Sequence, residues 1–352
     1  MPAPTSPLAP YRQLQDDPTL WPWSLQAAVQ RQIDSIFRKA RQRGDSALAR
    51  EAEQLLNDIH DKLRDSDCAE ARALAALLDA TLASNAGAAL QQQIARRPAL
   101  QRPTVAKRLG RMAARAFEIR QFGVEGHLWA AMTVWMLVIG KQQQTLSSSA
   151  VESLNAAYGA ARRYMQDLSS NVFELAETLT VAGNDLKQCH HPAWALSLLS
   201  GAVRHLQYWD WEWKPADAAE PNLVDRLKAL AYARLGEARY TIQRQRPARV
   251  RDCTGAVEAL SAARPLLKAL YDAEPDTWRS EYPLALARLG GARLRQQKWA
   301  SAEQAYVEAR PLLKALYDAD KEKWRHDYAL ALANLGGARL RQQKWASAEQ
   351  AY

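Results

Sequence analysis

Three cysteines in 352 residues, an odd number and widely spaced, cannot build a disulfide framework and suit a reducing compartment. Glycine (15) and proline (16) are scarce, which argues against a turn-rich all-β architecture. The longest predominantly apolar run, Leu128 to Ile139, has 12 residues. A helix that spans a bilayer needs roughly 20. The N-terminus, Met1 to Tyr11, lacks the basic region and apolar stretch of a secretory leader. The expectation is a cytoplasmic protein with no membrane partner. Chemical motifs are also missing. There is no Gly-x-x-x-x-Gly-Lys-Ser/Thr, Gly-x-Gly-x-x-Gly, Gly-x-Ser-x-Gly or His-Glu-x-x-His. The one Cys/His cluster, Cys189-His190-His191, puts adjacent residues where a zinc site needs about four ligands around a point. It reads as a loop between helices, so no catalytic residue, cofactor or metal is expected.

What the chain has is helix-forming composition. Hydrophobic residues are 48%, charged residues 24%, the net charge is +9, and Ala, Leu, Gln, Arg and Glu dominate. The expected fold class is all-α, with about fourteen helices. An internal repeat carries the argument further. Residues 289–306 recur identically at 335–352, an offset of 46, and Ala263–Ala273 recurs at Ala309–Ala319. Trp278 and Tyr282 recur as Trp324 and Tyr328. Each unit reads as two helices. Tyr282, Leu286 and Leu289 mark the first, Gln296-Gln297-Lys298 the turn, and Ala302, Ala305, Tyr306 and Ala309 the second. Short side chains at Gly290 and Ala302 let the two helices approach closely.

Leu289-Gly290, Ala302, Tyr306 and Ala309, with Leu335-Gly336, Ala348 and Tyr352 in the next copy, resemble the tetratricopeptide repeat, in the longer form of kinesin light chains. The 46-residue period exceeds the family's usual 34, and Arg293 and Arg339 stand where the family usually has Tyr. Degenerate copies keep Leu235-Gly236 with Ala256, Leu260 and Ala263, and Gly183 with Ala195, Leu199 and Ala202. The units run roughly 171–207, 222–272, 276–318 and 322–352. The resemblance implies an α-solenoid, a right-handed superhelix of helix pairs. The domains read as a helical region 1–148 of unrecognised type, a connector 149–215 containing the first degenerate unit, and the repeats 216–352. Lys141 to Ser149 and Pro215 to Pro221 are the candidate boundaries. In the first region Ser24, Asp45 or Ser46, Asp67 and Thr104 are candidate helix caps, Gly44 a helix stop, and Leu128 to Ile139 a central buried helix.

The resemblance implies a concave face that binds peptides. Its candidate groove residues are Arg234, Arg288 and Asn334, each two before the Gly, and Arg295 and Arg341, each five after it. The Lys/Asn set with which the family grips a terminal carboxylate is not reproduced. Two further patches stand out. Trp209, Trp211 and Trp213 alternate with charges and offer either an aromatic contact patch or the covering of a helix end. Trp21-Pro22-Trp23 invites the same two readings, and Trp299 and Trp345 read as packing wedges in the repeat turns. Lys107, Arg111 and Arg115 form one stripe of a helix that can hold phosphates or simply face water. The leading expectation is a non-enzymatic scaffold or sensor whose partner is a protein or peptide. The rivals are an N-terminal effector domain regulated by the repeats, and nucleic-acid binding through the basic helix 104–120. Because the final unit breaks off at Tyr352 without a polar cap, the array is expected to be a fragment or to be completed by another chain, with self-association through that end.

Overall fold

The computed structural model describes residues 6–64, 69–212, 221–247 and 252–350. These residues are all-α: eighteen α-helices, one 3₁₀ turn at Pro98–Gln101 and no strand. The expectation of about fourteen falls short of this number. Four of them are short: α1 (Ala9–Asp16), α2 (Trp21–Ser24), α14 (Pro275–Trp278) and α18 (Trp345–Glu349). The chain divides into two compact units, Met1–Thr178 and Leu179–Tyr352. The division falls inside α10 (Leu168–Gln188), not at Lys141 to Ser149 or at Pro215 to Pro221.

The first unit holds α1, α2, α3 (Ala27–Gln42), α4 (Ser46–Arg64), α5 (Ala69–Thr81), α6 (Ala86–Arg96), α7 (Thr104–Glu118), α8 (Phe122–Gln142) and α9 (Ser148–Gln166). As expected, α8 is the central helix, buried nearly all round from Val124 to Gly140. Its polar side chains are satisfied internally. Glu125 accepts hydrogen bonds from Trp129 Nε1 at 2.9 Å and Tyr164 Oη at 3.1 Å. His127 lies 2.8 Å from Thr81 Oγ1 and 2.9 Å from the Leu78 carbonyl, and burial lowers its pKa, which favours a neutral imidazole. The caps depart from expectation. Ser24 ends α2 rather than starting a helix, its hydroxyl donating to the Trp21 carbonyl. The first amides of α3, Ala27 and Ala28, donate instead to the carboxylate of Asp79 on α5, a cap that no local pattern announces. Thr104 is already helical and makes no cap bond, whereas Asp45 caps α4 through Leu48 N. Asp67 lies outside the described residues.

The helices of the second unit pair in sequence: α10 with α11 (Pro192–Glu212), α12 (Pro221–Gln245) with α13 (Thr254–Ala273), α15 (Glu281–Arg295) with α16 (Trp299–Ala319), and α17 (Lys321–Arg341) with α18. Consecutive pairs stack through α11 on α12, α13 on α15 and α16 on α17. The 46-residue offset is physical. Tyr271 meets Tyr282 at 5.6 Å and Tyr317 meets Tyr328 at 5.3 Å between ring centroids. The arginine three past each Gly also repeats its role. Arg239, Arg293 and Arg339 donate to the carbonyls of Gly255, Ser301 and Ser347 at 2.8, 3.1 and 2.7 Å, tying the first helix to the start of the second. Between successive helix pairs, Glu303 accepts from Arg339, Gln342 and Lys344 at 2.9, 3.0 and 2.7 Å.

The turns repeat more widely than the side chains. Gly44, Arg120, Gln144, His190, Gln297 and Gln343 all have φ between 55 and 71°. After each, the next amide reaches back to a carbonyl five residues earlier, as in Lys298 N to Arg293 O, 3.0 Å, and Gln121 N to Ala116 O, 2.8 Å. This is the left-handed stop with paired end bonds that glycine usually supplies. It recurs in the first unit, where the sequence shows no repeat. A non-glycine residue there is strained. Gln297→Gly is therefore expected to stabilise the chain by about 1 kcal/mol, read as a higher thermal midpoint. An unchanged or lower midpoint would contradict the strain.

Candidate functional site

Helices α12, α15 and α17 each turn one face to a common groove. Glu237, Tyr240, Thr241 and Arg244 come from α12, Leu284, Ala287, Arg288 and Arg295 from α15, and His326, Asp327, Leu330, Ala331 and Asn334 from α17. Within each helix these positions recur at three, four and seven residues, so one stripe per helix faces inward. Tyr306 of α16 closes the floor, and together these residues enclose about 240 Å³.

The floor is held by one carboxylate. Glu237, 9% exposed, binds Lys187 of α10 at 2.5 Å, Arg288 of α15 at 2.7 Å and Arg234 of its own helix at 3.6 Å. Burial alone would raise its pKa, but Arg288 and Lys187 outweigh burial and hold it below the ordinary range. Lys187 is pulled down as well, because burial and the neighbouring Arg288 and Arg234 oppose the help it has from Glu237.

Of the five groove residues expected from the sequence, Arg288, Arg295 and Asn334 line this pocket. Arg234 is committed to structure, bonded to Glu281 at 2.7 Å as well as to Glu237. Arg341 lies off the pocket, over the ring of Trp299 at 5.9 Å. Arg295 is exposed, rests 5.7 Å over the ring of Tyr240 and has no carboxylate partner among the described residues. The sequence reading missed Tyr240 and Tyr306. Tyr306 passed for pure packing because its position in the repeat is a core position.

The other candidates separate. In the basic stripe, Arg115 is bound to Asp17 at 2.6 Å and Glu118 at 3.1 Å, which leaves Lys107 and Arg111 as its exposed cations. The Trp209, Trp211 and Trp213 patch lies outside the residues whose side chains are described. Trp21 and Trp23 pack on the core of α3 and α4. Trp299 is half-buried under Arg341, but Trp345 is 66% exposed, so it wedges nothing. His191 stacks on Trp194 at 4.2 Å, and no cluster of three metal-ligating side chains occurs among the described residues. A second cavity, about 610 Å³, opens in the first unit between α6, α8 and α9, with Gln91, Leu137, Lys141, Tyr158 and Arg162 on its walls. Comparison with known proteins returned no family model, no curated protein and no solved structure that matches the chain.

Proposed function

We propose that the second unit is a protein–protein interaction module that takes an extended peptide segment into the groove of α12, α15 and α17. One observation carries this reading: three successive helix pairs contribute equivalent faces to one polar, arginine-bearing pocket. The resemblance to tetratricopeptide repeats supports it, since that family binds peptides on the corresponding face. The side-chain chemistry fits as well. Asn334 can bond a peptide backbone, Arg295 can take a carboxylate, and Leu284 and Leu330 supply apolar wall. A channel for nucleic acid would track phosphates with cations. This pocket instead mixes Arg244, Arg288 and Arg295 with Glu237 and Asp327.

The test uses the full chain, immobilised, and a degenerate hexapeptide library acetylated and amidated at its ends. Leu330 is 41% exposed on the groove wall. Leu330→Arg should abolish peptide retention without lowering the thermal midpoint, because an exposed surface change costs under about 0.5 kcal/mol. Arg295→Glu should weaken retention, whereas Arg341→Glu, off the pocket, should not. Equal retention by wild type and Leu330→Arg would remove the groove as the binding site.

A further inference from the structure

Resting on the peptide-groove reading, we propose that the pocket at Tyr306 selects an acidic residue of the bound segment, an Asp or Glu side chain read jointly by Arg295 and the Tyr306 hydroxyl. Tyr306 is 1% exposed, and its Oη is buried without a hydrogen bond of normal geometry, although the Asn334 amide faces it. A buried hydroxyl left in this state costs free energy that a ligand acceptor would return. Burial, with Tyr240 beside it, pushes the phenol far above its ordinary pKa against the opposing influence of Asn334 and Arg295, so it is a hydrogen-bond donor at any working pH. The space around the hydroxyl depends on Gly291. A Cβ there would fall 2.5 Å from Tyr240 Oη and 3.3 Å from Tyr306 Oη.

The charges facing the pocket choose the ligand. Arg288 is shared with Glu237, whereas Arg295 has no acidic partner among the described residues. Its planar fork matches a carboxylate, and one such cation suits a single negative charge better than a phosphate's two. Asp327 also lines the pocket, but it lies seven residues before Asn334 on α17, about 10 Å along the helix. An acidic side chain at the Asn334 and Tyr306 end therefore keeps clear of it. His326 and Arg244 sit at the rim and reinforce the same sign when charged.

Four hexapeptide libraries test this on the full chain. Three are acetylated and amidated, with Glu, Gln or phosphoserine fixed at the third position. The fourth carries a free terminal carboxylate and no acidic side chain. The Glu library should bind about tenfold more tightly than the Gln library and more tightly than the other two. Tyr306→Phe keeps the ring and removes only the hydroxyl. It should erase most of the Glu-over-Gln preference while leaving the thermal midpoint unchanged or raised, and Arg295→Gln should do the same. Equal binding of the Glu and Gln libraries, or an undiminished preference in folded Tyr306→Phe, overturns the inference. Preference for phosphoserine or for the free terminus overturns it too. If both Glu and Gln libraries bind equally and Leu330→Arg abolishes both, the groove reading survives and this inference alone fails. If no library binds, both fail.

Discussion

Glu237→Ala should lower the stability of the chain by about 3 kcal/mol at neutral pH, among the largest effects of any single polar substitution here. The reason is the geometry under the groove. One nearly buried carboxylate from α12 gathers Lys187, Arg234 and Arg288 from three helices. Their side chains are 15, 17 and 26% exposed, so water solvates them poorly once the carboxylate is gone. An exposed pair gives the contrast. Asp318→Ala, which breaks the i, i+4 contact of Asp318 with Lys314, should cost less than about 0.5 kcal/mol. The pH dependence has a definite sign. The folded pKa of Glu237 lies below its unfolded value, so its contribution is complete above about pH 4.3 and is lost as pH falls through the folded pKa. Urea unfolding should therefore show a wide gap between wild type and Glu237→Ala at pH 7 that narrows in strong acid. Coincident unfolding curves at pH 7 would show that the three cations find water or other partners without Glu237.

The same cluster explains why part of the groove was legible in the sequence and part was not. The repeat offset and the Leu-Gly positions put Arg288, Arg295 and Asn334 on one face, and these three line the same pocket, because helical spacing decides which face looks inward. They could not say which arginines are spent. Arg234 and Arg288 carry the same charge and the same register, two residues before a Gly. One is tied to Glu281 and Glu237, the other shares Glu237, and both facts depend on what lies across the next helix pair. Tyr306 packs as its repeat position requires, and only its hydroxyl end escaped the reading. Its ring fills the contact with Gly290, and its buried hydroxyl lies beside Tyr240 and Asn334 under the pocket, an end that only the three-dimensional packing shows. The first unit was legible in its helices, its central α8 and the Asp45 cap of α4, but not in the start of α3, which Asp79 caps from some fifty residues away. The left-handed helix stop it shares with the second unit, at Arg120 and Gln144, lies in the backbone, where no residue type marks it.

Two glycines of the repeated Leu-Gly-Gly motif should respond to alanine with opposite signs. In an exposed helix interior, Gly→Ala gains about 1 kcal/mol from propensity. Gly337 has nothing within 4 Å of where a Cβ would stand, so Gly337→Ala should realise that gain. Gly290 has the Tyr306 ring in the way, with Cε2, Cζ and Cδ2 at 2.7, 2.8 and 2.9 Å from the added carbon. That ring is packed in the core of the second unit and cannot swing to solvent. Gly290→Ala should lose the propensity gain and cost about 1–3 kcal/mol for overpacking. The equivalent glycines tell the same story in the other pairs, with Leu199 Cγ 2.6 Å from a Cβ at Gly183 and Leu260 Cγ 2.5 Å from one at Gly236. Ala302, fully buried on the facing helix, gives the reciprocal test, and Ala302→Leu should also cost about 1–3 kcal/mol. Thermal midpoints of the three variants decide the matter. A stabilised Gly290→Ala, or an Ala302→Leu that melts like the parent, would mean that the helices of a pair do not meet at these positions. The pocket behind Tyr306 would then lose the ring that forms its floor.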